Sequence, residues 1–527
     1  MQCKMDDLPD ELLEYILSLI PPYKALEDCK LVSKRWCRAT RNVIEHNQAH
    51  FQKSIAFGTL FWNSCSHTDW VPTISKRHSH SACTYKNSMY VFGGCTATCT
   101  TFNDLWRLDL DSRTWVRLIT MGSYPSPKAC ATMLRYKKKL ILFGGWSHPS
   151  PYPLHQQWKL FNEVHVYSIE TSKWTSINTL ETPPPISAHS ASVHGNIMVV
   201  FGGICNGYSF EVVNDVWCLN LSTYCWHKQA TSNVKPHPRY GQSQIPLGDK
   251  YLLILGGWTG PNVPMNDAWL LNMEGPIWIW KEVNMKRTES APTRVWGNQA
   301  CKVGNYIIVL SKNKRQAKSN DMSISLSKVI CQRTSSSLRN NSRERHKYVE
   351  TEKDENVNGR HGTLPRLPPK EKDMLSQNGL SAMKTIPLAN DNNFSMAAFR
   401  EERTQTSGAT ANRQRQLESL RKMEEKIQKR KHLSRTVKQS ENTLSIFVLD
   451  ISKMLYEECS ATWIPLKCNK QTGPDERVLY SLVVGRGELI VFGGIRKEQA
   501  TIQGQPDIDD SEVYNDLHFI TPPRYVI

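Results

Sequence analysis

No CxxC pair occurs anywhere in the 527 residues, although the chain carries 15 cysteines. Cys95 and Cys99 are four apart, and no matching Cys/His pair lies beside them, so the spacing argues against a zinc site. No run of eighteen apolar residues exists, so no segment is expected to span a membrane. The stretch Met1 to Asp10 is polar and charged, unlike a secretory signal peptide. With an odd number of scattered cysteines, these absences point to an intracellular protein with reduced thiols, in cytoplasm, nucleus or both. No nucleophile–base pair can be argued from spacing. Histidines such as His165 and His518 are isolated in strand-like segments, where packing is the ordinary role. Neither catalysis nor a cofactor is expected of this chain.

What is present is enough for two or three domains. A hydrophobic fraction of 39% with 9% aromatics can bury a sizeable core. The formal charge is +17, and most of the excess falls in residues 311–441. That stretch is rich in Ser, Asn, Lys, Arg and Glu and lacks apolar periodicity, so it is expected to be a disordered basic insert. Within it, Gln414 to His432 alternates in charge and could form a solvated helix. The cluster Lys426, Lys429, Arg430, Lys431 could act as a nuclear address or touch nucleic acid. A solubilising insert is the preferred reading, and nucleic acid is not an expected partner.

Outside the insert a unit repeats. Tyr90-Val91-Phe92-Gly93-Gly94, Ile141-Leu142-Phe143-Gly144-Gly145, Val199-Val200-Phe201-Gly202-Gly203, Leu253-Ile254-Leu255-Gly256-Gly257 and Ile490-Val491-Phe492-Gly493-Gly494 all end an apolar strand in paired glycines. The first four are 51, 58 and 54 residues apart, a period of about four strands per unit. After each of these comes Asn, an acidic residue, an apolar residue and then usually an aromatic: Asn103 to Trp106, Asn162 to His165, Asn214 to Trp217, Asn266 to Trp269. Nine residues further stand Trp115, Trp174, Trp226 and Trp278. Rings at such spacing fit hairpins that pack them against a neighbouring unit as core. A fifth unit is degenerate: its strand Asn305 to Leu310 runs into Ser311-Lys312, and Leu444 to Asp450 with Trp463 resume it after the insert. The sixth has Gly493-Gly494 and Asn515-Asp516-Leu517-His518 but no tryptophan after them. Trp62, unassigned near the start, is predicted to complete that last unit and close a ring without free edges.

The pattern resembles the Kelch repeat, which implies a β-propeller. The first residues read differently. Leu8-Pro9-Asp10-Glu11 opens a helix that carries Leu12, Leu13, Ile16, Leu17 and Leu19, and Pro21-Pro22 stops it. A second helix is predicted to hold Leu26, Cys29, Leu31, Val32 and Trp36. A segment this short cannot bury all that surface alone. Leu-Pro, then Ile-Leu, then Leu31-Val32-Ser33-Lys34-Arg35-Trp36 is similar to an F-box. The resemblance implies binding to a Skp-type adaptor and through it a cullin–RING ligase. Leu8, Pro9, Leu13, Ile16, Leu17, Leu31, Val32 and Trp36 would stand at adaptor-facing or supporting positions.

The expected fold is therefore mainly β: a six-bladed Kelch β-propeller preceded by a small α-helical F-box, with the long disordered insert in the fifth blade. The expected divisions are 1–52 for the F-box, 56–310 for blades 1 to 4 and the start of blade 5, 311–441 for the insert, and 442–527 for the remainder. The resemblance to F-box proteins with Kelch repeats implies a non-catalytic substrate-recognition subunit of a ubiquitin ligase. A cytoskeletal scaffold is the other reading, and it has no need of an F-box. Some Kelch-like propellers are copper oxidases, but no Tyr, His and Cys cluster for the metal can be assigned here.

One further regularity concerns the substrate. Arg77, Lys128 and Arg477 stand sixteen residues before the first glycine of their units, and Arg239 stands seventeen before. Arg294 stands sixteen before Leu310, and Ile186 breaks the rule in the third unit. Two readings fit. The basic side chains could ring one face and clamp an acidic or phosphorylated protein substrate, or they could bond to loop carbonyls. The long loop Trp146 to Leu160, with Trp146 and Tyr152, is expected to supply apolar contact to the substrate.

Overall fold

The computed structural model describes residues 8–65, 73–98, 100–148, 159–179, 181–206, 210–260, 263–293, 295–297, 299–312, 443–466, 473–496 and 512–523. Residues 313–442, the body of the expected insert, lie outside the described residues, as do Arg294 and Tyr152.

Three helices open the chain: α1 (Asp10–Ser18), α2 (Lys24–Cys29) and α3 (Lys34–Phe57). Asp10 and Glu11 lie in the first turn of α1, where negative charge opposes the helix dipole favourably. The single second helix expected from the sequence is in fact two. The chain leaves helical geometry before Ser33, whose hydroxyl then caps α3 by accepting from the Trp36 amide at 3.2 Å. Helix α3 also runs past residue 52, the expected end of the head, to Phe57. Gly58 ends it in the left-handed conformation, φ 68°. Its first half packs Ala39 and Val43 on Leu13, Leu17 and Leu26. Its second half sends Phe51 and Ile55 into a different core, with Leu310, Leu444, Leu482 and Val491 of the sheet region.

Beyond α3 the described residues are mainly sheet, arranged as six blades of four antiparallel strands, to which blades 2, 3 and 5 add a short fifth strand. Blades 1 to 5 span 81–117, 132–177, 190–228, 243–282 and 301–463. Blade 6 takes three strands from 481–521, and its fourth is Phe61–Cys65, paired with Leu517–Thr521 so that Trp62 faces Ile520. Trp62 thus completes the last blade as the repeat pattern predicts. In blade 5, Tyr306–Lys312 pairs without a break to Leu444–Asp450, so the long excursion leaves and re-enters between hydrogen-bonded neighbours. The strand includes Ser311 and Lys312, two residues that the sequence reading gave to the insert.

The blades are held together at the axis by the backbone. Ser79 N–H donates to the Leu479 carbonyl, Leu479 to Gly297, Gly297 to Gly241, Gly241 to Ala188, Ala188 to Cys130, and Cys130 back to Ser79, all at 2.8–3.1 Å. All six of these residues have φ between 51° and 64°. A second ring lies further out. The second glycine of a pair donates to the next blade: Gly94 to Lys128 O, Gly145 to Ile186 O, Gly203 to Arg239 O, Gly257 to Val295 O, and Gly494 to Arg77 O. The first glycine lies against that same carbonyl. A Cβ at Gly93, Gly202 or Gly493 would sit 2.5–2.7 Å from it.

Between blades the tryptophans fill the gaps. Trp115 packs on Phe492, Trp174 on Phe92, Trp226 on Phe143 and Trp280 on Phe201, with ring centroids 4.8–5.6 Å apart. In blade 4 the packing ring is Trp280, not the expected Trp278. Trp280 pairs with Leu271 as Trp226 pairs with Leu219, because a longer turn shifts the register by two. Trp278 is buried too, and it bridges to Thr231 in the link arriving from blade 3.

The glycines give a direct test. Gly256→Ala would place its Cβ 1.9 Å from Val295 O, whereas Gly248→Ala, at φ 76°, meets nothing within 4 Å. Gly248→Ala is expected to cost about 1 kcal/mol, the penalty for a left-handed alanine. Gly256→Ala should cost at least about 3 kcal/mol, because the backbone of the next blade must move. Urea denaturation of the two variants measures the difference.

Candidate functional site

Two surfaces were expected to carry function, and the structure treats them differently. The basic residues come first. Arg77 is 0% exposed. Its Nη1 and Nη2 donate to the two oxygens of Asp104 at 2.7 and 3.0 Å, and Nη1 also donates to Gly93 O at 2.9 Å. Arg239 repeats this with Asp267, at 2.7 and 2.9 Å, and with Gly256 O at 3.0 Å. Arg477 is paired with Asp516 and reaches Gly493 O at 3.4 Å. Lys128 donates to Glu163 Oε2 at 2.9 Å and lies over the Phe161 ring.

These partners are the acidic residues of the Asn-acidic motif. The same carboxylates also take the ring N–H of the following aromatic: Trp106 Nε1 donates to Asp104 at 2.7 Å, Trp269 Nε1 to Asp267 at 2.8 Å, and His518 Nε2 lies 2.8 Å from Asp516. Each arginine stitch therefore joins the segment entering a blade, the Gly-Gly strand end and the third strand, while Lys128 joins only the first and the third. The expectation that Arg77, Lys128, Arg239 and Arg477 line an open face is corrected: they are buried and their donors face carboxylates. Blade 3, with Ile186, lacks the stitch, and its Asp215 pairs on the surface with Lys228. Trp146 is also corrected. It is 2% exposed and packs with Cys95, Ala129 and Leu160, so it is core rather than contact surface. Arg294 and Tyr152 lie outside the described residues.

The electrostatics follow from burial. For Asp104 and Asp267, burial raises the carboxyl, but the guanidinium bonds outweigh it and the net direction is down. Asp516 is held at about 2 on the same grounds, with His518 and Arg477 opposing its burial. The histidines beside the axis move down as well, because burial penalises the imidazolium: His78 to about 4 and His189 to about 3. His189 Nε2 lies 2.9 Å from Thr132 Oγ1 in the next blade. Among the described residues no group of three or more His, Cys, Asp or Glu side chains gathers as a metal site would.

The head sorts its expected residues into two sets. Leu13 and Leu17 are fully buried in the helical core, and Trp36 packs against it, so these three support the surface rather than form it. Leu8 and Ile16 are half-buried and Pro9 is exposed. Leu31 is 84% exposed and Val32 62%, in the turn between α2 and α3; Leu19 and Leu12 are 60% and 47% exposed at and within α1. Four apolar side chains on one small head are thus left in water.

Two results are expected from this geometry. Asp267→Ala should cost about 3–5 kcal/mol, because it strands the Arg239 charge in the interior, whereas the double change Arg239→Met with Asp267→Leu should cost markedly less. Chemical denaturation of both variants reports the difference. The second result concerns pH. Unfolded imidazoles titrate near 6.5, so below that value the unfolded chain takes up protons that buried His78 and His189 refuse. Their contribution is full above about pH 6.5 and is lost as pH falls toward about 4 and about 3. The contribution of Asp104, Asp267 and Asp516 is retained until lower pH, because their folded values are depressed below the unfolded carboxylate value. The urea midpoint should therefore fall between pH 7 and pH 5, and less steeply in His189→Gln.

Comparison with known proteins agrees with the two-part build. Residues 5–44 match the family model described as F-box-like, and residues 77–278 match the one described as FBX42, beta-propeller domain. The chain is 29% identical over 288 residues to Kelch domain-containing protein 2 of Bos taurus, covering 46% of this chain and 67% of that one. It is 28% identical over 247 residues to Kelch domain-containing protein 1 of Mus musculus, covering 43% of this chain and 59% of that one. The match therefore spans about three fifths to two thirds of the length of these relatives. With an F-box-like match at the head and a propeller-domain match over part of a six-bladed ring, the chain pairs an F-box-like domain with a Kelch-type β-propeller.

Proposed function

We propose that this protein is the substrate-recognition subunit of a Skp–cullin–F-box ubiquitin ligase, with the head docking on a Skp-type adaptor and the propeller presenting a protein for ubiquitination. The pairing of F-box and Kelch domains is typical of adaptors that do not themselves catalyse. The observation that carries the reading is the set Leu12, Leu19, Leu31 and Val32, apolar and exposed on a head that already packs a core of its own. Apolar surface left in water beside a packed core fits a permanent partner.

Topology supports a division of labour between the two ends of the ring. In each blade the turns between first and second strands are short, as at Lys86-Asn87, Lys137-Lys138, Gly195-Asn196 and Gly304-Asn305. The excursions between second and third strands leave at the opposite end, and their lengths vary from a few residues to the whole of 313–442. The head touches the short-turn end, with Gln52 against Gly304. A rigid frame with one variable rim supports recognition on that rim. The protein substrate would be held there, facing away from the adaptor.

The test is capture of purified Skp-type adaptor by the full chain. Leu31→Asp with Val32→Asp should weaken capture at least about 100-fold, because a desolvated apolar contact becomes a buried charge. Both side chains are exposed, so folding stability should change by no more than about 0.5 kcal/mol. Equal capture by the folded double variant, or none by the wild type, would reject the reading.

A further inference from the structure

The head meets the ring where blade 6 adjoins blade 1, the seam closed by the first and last segments of the propeller. Tyr23, at the entry to α2, is 0% exposed and sits in one core with Ile74, Val91, Ile490 and Phe492. Its hydroxyl donates to Glu488 Oε1 at 2.5 Å. Glu488 belongs to the first turn of blade 6 and is 4% exposed. Arg113, from the outer turn of blade 1, donates Nη1 and Nη2 to the two oxygens of the same carboxylate, each at 2.8 Å. Its guanidinium lies 3.7 Å from the centre of the Phe519 ring. One buried carboxylate therefore receives the head, blade 1 and blade 6 together.

The surroundings are shaped to the same end. The Lys24 amide donates to both oxygens of Asp111 in blade 1 at 3.0 Å. Arg486 Nη1 donates to Glu27 Oε1 of α2 at 2.7 Å, and the Arg486 amide donates to the Tyr23 hydroxyl at 3.3 Å. Gly485 leaves the room: a Cβ there would lie 2.4 Å from the Tyr23 oxygen. A carboxylate with this little access to water needs all its partners, since removing one leaves charge or hydroxyl uncompensated.

We infer that Tyr23, Glu488 and Arg113 form a clasp that couples the head to the seam of the ring, so that head and propeller open as one body and the exposed apolar residues of the head keep a fixed attitude to the variable rim. These three are positioning residues. The coupling concerns the chain alone, while its use in presenting a substrate rests on the proposed function above.

The experiment uses the full chain and two probes, helical circular dichroism for the head and tryptophan fluorescence for the blades, with amide hydrogen exchange alongside. In the wild type the two urea transitions coincide. In Glu488→Gln they separate, and the amides of Leu13, Leu17 and Val43 lose protection at least about tenfold while those of Leu140 and Val199 keep theirs. Tyr23→Phe, which spares the Arg113–Glu488 pair and the ring packing, gives a smaller separation. A merely stabilising role would move both transitions together, and that result in both variants overturns the proposal. So does unchanged protection of the head amides. Adaptor capture is scored separately. Its absence in the wild type rejects the reading of the head and leaves the coupling to be judged on these probes alone.

Discussion

The architecture depends on one closed circuit of backbone hydrogen bonds at the axis. Six residues, one per blade, each donate to the next, and each must adopt a left-handed backbone to do so. Four of them are not glycine, so the chain accepts about 1 kcal/mol of local strain at each of Ser79, Cys130, Ala188 and Leu479. The circuit makes the strain tolerable: no member can relax without breaking one donor and one acceptor link of the closed ring. Two residues before three of these turns stand Arg77, Lys128 and Arg477, and two before Gly241 stands Arg239. Their position is set by the circuit. The turn aims each side chain back under the glycine pair and into the carboxylate of its own third strand.

That arrangement changes how charge in this protein should be read. A basic residue that recurs in nearly every unit looks like a binding ring when only spacing is visible. Recurrence in a repeat reflects whatever every unit needs, and every unit needs its strands joined. The residues that distinguish one blade from another are the better candidates for recognition, and they lie in the excursions after Gly-Gly. Blade 3 makes the same point in reverse. It lacks the basic residue, and it keeps its place through the axial hydrogen bond of Ala188 and the packing of Trp226 on Phe143. The stitch is therefore an addition to the circuit rather than a condition of it.

Much of the fold was legible because the repeat encodes contacts between units. Gly-Gly, the Asn-acidic motif and the distant tryptophan each mark a place where one blade meets its own strands or its neighbour, so the closing role of Trp62 could be inferred from a gap in the list. What was not legible depended on turn length and burial. Trp278 matched the spacing, but a longer turn in blade 4 hands the packing position to Trp280. In the head, periodicity marked Leu13 and Leu17 as readily as Leu31 and Val32. Only the break before Ser33, which a hydroxyl cap stabilises, leaves the latter pair outside the core. The continuation of α3 to Phe57 was hidden because its second half buries its apolar residues against blades far away in sequence.

The long helix explains why the head is not an appendage. A separate module would keep its apolar residues in a single core, but α3 divides its own between two, Ala39 and Val43 with the head, Phe51 and Ile55 with blades 5 and 6. It then passes through Gly58 directly into the strand that closes the ring. The second half of α3 thus belongs to the packing of the ring, and the first half to the head. A surface on the head and a rim on the far end of the ring are thereby held in a single frame, with no linker between them to absorb motion.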